Sequence, residues 1–178
     1  MRRLLDIIAL ILTVCVITLS GCNTSGCLDN RSSLPLADFY SSTTDKPIST
    51  DSIDIYGIGA RGDSLLVSVG QKVSQVYLPL RSDMLSTSFC IAYKWEGMTP
   101  AHNDTLTIHY TSYPYFASEE CGAMYRYIIT GIDHTSVLLD SVAVLDSLVT
   151  NIEIANMRLY FPTDEETQRS STAKNNGL

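Results

Sequence analysis

Thr105-Leu106-Thr107-Ile108-His109-Tyr110-Thr111 alternates strictly, with Leu106, Ile108 and Tyr110 on one side and the threonines and His109 on the other. Period two marks a strand that lies on a core and keeps one wet face. The same alternation continues outward. Ser88 to Trp95 puts Phe89, Ile91, Tyr93 and Trp95 on one face and leaves Cys90, Ala92 and Lys94 opposite. Ser52 to Ile58, Ser64 to Val69 and Gln75 to Leu80 read as earlier strands, and Gly59-Ala60-Arg61-Gly62-Asp63 supplies the turn between the first two. Ala123 to Thr130 aligns Tyr125, Tyr127 and Ile129. Ile152 to Phe161 changes phase, from Ile152 and Ile154 to Met157, Leu159 and Phe161, which predicts a bulge or break near Ala155-Asn156. Val137 to Val149 also fits a helical stripe, but its β-branched residues and Asp-Ser pairs favour one or two strands. Short strands, with turn residues about every 8 to 12 positions and no convincing helix, predict an all-β antiparallel sandwich. Immunoglobulin-like architecture is one form of it, and a barrel is the alternative.

The N-terminus carries an address. Met1-Arg2-Arg3 is basic, Ile7 to Leu19 is apolar but shorter than the roughly 20 residues of a spanning helix, and Leu19-Ser20-Gly21-Cys22 reads as a bacterial lipobox. Residues 1–21 are expected to be a lipoprotein signal peptide, with Cys22 becoming the lipidated first residue of the mature chain. Acyl chains contribute about 0.8 kcal/mol per buried CH₂, so two or three of them anchor the protein to a membrane without spanning it. Residues 22–33, rich in Asn, Ser, Thr and Gly, read as a tether. Residues 34–162 form the domain, and 163–178 read as a disordered polar tail.

Removing residues 1–21 takes away Arg2, Arg3 and Asp6, which moves the formal net charge from −7 to −8. An acidic body disfavours nucleic acid and electrostatic adhesion to anionic lipid. No metal-ligand spacing, cofactor loop or nucleophile elbow is present, so neither a cofactor nor a metal is expected. His102, Asp104 and His134 fall in or beside turns and are the residues from which an enzymatic site would have to be built. Glu119-Glu120 is a poor acid–base pair, since neighbours on a strand face opposite ways. Arg61-Gly62-Asp63 spells an integrin-binding tripeptide but has a sufficient local reason as a turn. Tyr110, Tyr113, Tyr115, Tyr125 and Tyr127 cluster around Pro114 and Cys121, as core or edge residues or as a binding surface.

Tyr56-Gly57-Ile58-Gly59, Asp63-Ser64-Leu65-Leu66, Leu78-Pro79-Leu80, Asp104-Thr105-Leu106-Thr107-Ile108, the run from Tyr113 to Cys121-Gly122, and Leu159-Tyr160-Phe161 together resemble a domain-of-unknown-function family of small Bacteroidota lipoproteins. The resemblance spans most of residues 27–162 and implies an all-β domain with no established activity, substrate or cofactor. It also implies a recurring early cysteine and a Cys-Gly pair. Of the three cysteines left after Cys15 and Cys22, Cys27 and Cys121 sit at strand ends and Cys90 inside a strand, so a Cys27–Cys121 disulfide with Cys90 as a thiol is expected.

The expectation for function is a non-enzymatic, lipid-anchored binding or assembly-accessory protein of the bacterial cell envelope. Its place is the outer membrane facing the periplasm, since no acidic export signal follows Cys22. Its partners are the membrane, through Cys22, and an envelope protein or glycan. The alternative is an envelope hydrolase acting on a glycan or peptide.

Overall fold

Strands that are apolar on one face must stack two sheets to cover it. The computed structural model describes residues 33–60, 64–118 and 122–162. The signal-peptide segment, all of the tether but Ser33, Arg61-Gly62-Asp63, Glu119-Glu120, the polar tail, and Cys22, Cys27 and Cys121 lie outside the described residues.

Ten strands follow one another: β1 (Leu36–Ser41), β2 (Ile53–Gly57), β3 (Leu65–Val67), β4 (Gln75–Tyr77), β5 (Ser86–Tyr93), β6 (Asp104–Ser118), β7 (Gly122–His134), β8 (Ser141–Val144), β9 (Leu148–Val149) and β10 (Ala155–Phe161). Among the described residues only a 3₁₀ turn, Pro100–His102, is helical. The ambiguous segment 137–149 resolves into the short strands β8 and β9.

One sheet has the order β4-β1-β10-β8 and the other β3-β2-β5-β6-β7-β9. The two pack over a single core, in which Phe39, Met157 and Leu159 of the smaller sheet join Ile55, Phe89, Ile91, Leu106 and Ile108 of the larger. Each such side chain contributes about 1.5–3 kcal/mol on burial. The sandwich expected from the alternation is therefore present. In the larger sheet the consecutive strands β5, β6 and β7 lie side by side. Every pairing is antiparallel except that of the first strand with the last, β1 with β10.

The phase change in the last run has a visible cause. Leu36 pairs with Ala155 but Ala37 with Met157, so Asn156 is the extra residue of a bulge. Its side chain is buried, and it replaces the lost ladder bonds. Oδ1 accepts the Leu36 amide at 3.2 Å, and Nδ2 donates to the carbonyls of Asp146 at 3.2 Å and Leu148 at 3.3 Å.

The register gives the molecule two distinct ends. Pro35 accepts a hydrogen bond from Leu78, Leu85 accepts one from Tyr110, and Ser147 accepts one from Ile129. The start of β1, the 78–85 connection and the 145–154 connection thus share one end with the bend after β2, where the Ile58 amide bonds to Ser88. The β6–β7 hairpin continues beyond that end. β5 stops pairing β6 at Ser86↔His109, and β9 stops pairing β7 at Tyr127, whereas β6 and β7 pair from Leu106↔His134 to Ser118↔Gly122. From Tyr113↔Arg126 outward the two strands form a ribbon by themselves, rising about 20 Å at roughly 3.3 Å per residue. Pro114 is tolerated in β6 because that strand has only one neighbour there. Gly122 closes the far end at φ +70°, a conformation that needs glycine although a Cβ would meet nothing within 4 Å.

Candidate functional site

Asp104 opens β6 and is completely buried. A buried carboxylate is tolerated only when its oxygens are fully bonded. Oδ1 accepts from the Thr135 hydroxyl at 2.6 Å and the Val137 amide at 2.8 Å. Oδ2 accepts from the Tyr93 hydroxyl at 2.8 Å and the amides of Leu138 at 2.8 Å and Leu139 at 2.7 Å. Burial pushes the Asp104 carboxyl up, but Thr135 and the three amides outweigh it and hold its pKa below the ordinary carboxylate value. Burial, followed by the nearby Asp104 charge, pushes the Tyr93 phenol up. The carboxylate is a clasp that fastens the chain after β7 to the start of β6, and none of it is presented to solvent.

The histidines do not converge on it. His102 ends the 3₁₀ turn, with Nδ1 2.9 Å from the Thr99 hydroxyl and accepting the Thr99 amide at 3.1 Å. His134 is the last residue of β7 rather than a turn residue, and its Nδ1 lies 2.9 Å from the Thr135 carbonyl. His109 stands on the wet strand face, as its alternation implies, with Nε2 2.7 Å from Asp133. Beside this pair the Ser88 and Thr107 hydroxyls bond to each other at 2.8 Å on the open face of the sheet. No group of three or more metal-ligating side chains forms among the described residues. Cys90 is buried and unpaired, on the strand face opposite Phe89 and Ile91.

The tyrosine cluster divides in two. Tyr110 and Tyr127 are buried with their rings edge-to-face, 5.4 Å between centroids at 89°. The Tyr110 hydroxyl lies 2.7 Å from that of Thr87, donates to the Arg81 carbonyl at 2.8 Å and accepts the Arg81 amide at 3.0 Å. The Tyr127 hydroxyl donates to the Leu80 carbonyl at 3.3 Å, and burial raises its pKa. These two hold the 78–85 connection against the ribbon's base. The rest of the cluster is on the ribbon. Pro114, Phe116, Ala123 and Tyr125 share one face, with Phe116 65% and Tyr125 45% exposed, and Tyr113, Tyr115, Met124 and Arg126 share the other. The Arg126 guanidinium lies over the Tyr115 ring at 3.4 Å.

Exposed large apolar residues accompany the ribbon. Ile58, Leu65, Met84, Leu85, Val144, Leu145, Leu148, Ile152 and Ile154 lie at or toward the end from which it projects. Among the described residues only Val69, Trp95 and Val137 lie toward the other. Sequence reasoning found the tyrosines but not this polarity, which depends on the strand order.

The family of unknown function DUF6452 matches residues 52–161, more than half of the chain. The chain belongs to this family. The matched stretch runs from β2 to the end of β10, so β1, although it pairs with β10, precedes it. Neither the curated proteins nor the solved structures contain a match to this DUF6452 chain.

Proposed function

We propose that this DUF6452 protein is a non-enzymatic binding or assembly-accessory lipoprotein of the bacterial cell envelope. It is anchored through Cys22, faces the periplasm from the outer membrane, and works through the apolar end of its sandwich. The observation that carries this reading is the gathering of exposed aromatic and aliphatic side chains at one end, led by Phe116 and Tyr125 on the ribbon. Large exposed apolar areas mark interaction sites. The hydrolase alternative is weakened at its centre, because Asp104 spends both carboxylate oxygens on the fold and His102 and His134 bond locally. The lipobox and the resemblance to Bacteroidota lipoproteins support the anchor and the envelope location.

The test is intact mass spectrometry and detergent partitioning of the full-length protein expressed in a lipoprotein-processing bacterium. Wild type should carry a lipid mass on Cys22 and enter the detergent phase, and Cys22→Ser should do neither. Detergent partitioning of Cys22→Ser like that of wild type would overturn the anchor.

A further inference from the structure

We infer that the ribbon pairs edge to edge with the ribbon of a second copy of this chain, through the outer edge of β7 from Gly122 to Arg126. The inference gives the binding reading a partner and does not depend on the anchor at Cys22.

The two edges of the ribbon are unlike. In an antiparallel pair every second residue turns its N–H and C=O away from its partner. On β6 the outward residues are the even ones, since the Tyr110 amide bonds to Leu85. On β7 they are the odd ones, since the Ile129 amide bonds to Ser147, and no register shift separates Tyr110↔Ile129 from Phe116↔Ala123. Pro114 therefore removes an outward donor from β6, which blunts that edge. The edge of β7 has no such guard. β9 covers Tyr127 and Ile128 and then leaves, with the Ile152 amide bonded to the Thr150 hydroxyl at 3.2 Å where the chain turns away. Arg126, the one charged residue of the uncovered stretch, lays its guanidinium over the Tyr115 ring of β6 rather than across the edge. The outward N–H and C=O of Ala123 and Tyr125 thus have no partner among the described residues. The edge strands of the two sheets are shorter, β3 and β4 with three residues, β8 with four and β9 with two.

A second copy offers the same edge. Two copies of one edge meet antiparallel about a two-fold axis, with their core-side faces on the same side of the joined sheet. Centring the uncovered stretch on itself puts the axis at Met124. Ala123 then stands opposite Tyr125 of the second copy, and the two exchange N–H···O=C bonds in both directions. Gly122 stands opposite Arg126 of the second copy. Each large side chain meets a small one, and the 45%-exposed Tyr125 ring finds room over Ala123. A longer overlap is stopped by β9, because Val149 already holds Tyr127. A strand of unrelated sequence would meet the same backbone groups without this exchange of large for small. Pro114 also closes the assembly at two, since pairing β7 with β6 of a further copy, which would grow without end, lacks its donor. An edge of this length buries less than the roughly 800 Å² per partner of a standard interface, so the dimer forms and dissociates with concentration.

The experiment is sedimentation velocity of the full-length protein in detergent micelles across the micromolar range. Wild type should pass from monomer to dimer. Ala123→Pro removes an outward N–H from β7, as Pro114 does from β6, and keeps the bonds to β6. It should weaken dimerisation at least tenfold and leave the unfolding midpoint nearly unchanged. Phe116→Pro removes an outward N–H from β6 together with the most exposed ring of the ribbon, and should change dimerisation little. Met124→Cys, oxidised with glutathione disulfide as the electron acceptor, should yield a peptide that joins two copies through the substituted position. Directly opposed residues of this kind bring their Cα atoms within about 4.5 Å, inside the reach of a disulfide. Cys22→Ser should dimerise as wild type does, so that failure of the anchor and failure of the pairing are separate results. A monomer throughout the range, or a dimer that Ala123→Pro leaves intact, would overturn the pairing. Loss of the dimer in Phe116→Pro would move the contact to the β6 edge or the apolar face and overturn it as well, and absence of the joined Met124→Cys peptide would overturn the register.

Discussion

A single carboxylate does more for this fold than its place in the sequence suggests. Asp104 and Thr105 open the strand whose alternation announces the fold, yet nothing in the local pattern says that Asp104 is buried. Its donors, Tyr93 and residues 135–139, arrive from other parts of the chain. A hydrogen bond to a charged group contributes about 1.5–3 kcal/mol, and the donors left behind are costly when buried. Asp104→Asn should therefore lower stability at neutral pH by about 3 kcal/mol, and Tyr93→Phe by about 1 kcal/mol, in urea denaturation. The pH dependence has a definite sign. The folded pKa of Asp104 lies below the unfolded value of about 3.9, so its contribution is complete above that value and is lost as pH falls through the folded one. The deficit of Asp104→Asn should accordingly shrink in acid, and a deficit equal at neutral pH and at about pH 3 would contradict the clasp.

At the scale of elements, the sequence disclosed what depends on alternation and missed what depends on neighbours. The cores of β2 through β7 coincide with the alternating runs, and the bulge at Asn156 follows from a parity change along one strand. β1 went unread because Leu36–Ser41, although it carries Ala37 and Phe39 at 0% exposure, is only six residues of weak pattern. The extent of the β6–β7 hairpin was hidden by Pro114, which argues against a strand wherever two neighbours are assumed. Because the ribbon beyond Tyr113↔Arg126 pairs only with itself, it should be separable from the fold. Replacing residues 114–125 by Asn-Gly, so that Tyr113 and Arg126 are joined by a two-residue turn, should change the unfolding midpoint by no more than a few degrees. A collapse of stability would show that the ribbon is part of the core.

For the molecule as a whole, the expected cysteine pairing and the order in which the strands arrive both bear on how the fold closes. A Cys27–Cys121 disulfide would close a loop of about 95 residues, which stabilises by roughly 4 to 5 kcal/mol in the chain-entropy account. Peptide mapping without reduction, after thiols are alkylated, should return a Cys27–Cys121 peptide with Cys90 alkylated only upon unfolding. A pair that includes Cys90, or alkylation of all three, would refute it. The parallel pairing of β1 with β10 has a consequence in time. The first strand can take its central place between β4 and β10 only after nearly the whole domain has been delivered, so the smaller sheet closes last. A chain delivered from its N-terminus thus carries an open half-sandwich until its final strand emerges. Assembly waits on that strand, and refolding dominated by such distant partners should take milliseconds to seconds rather than microseconds.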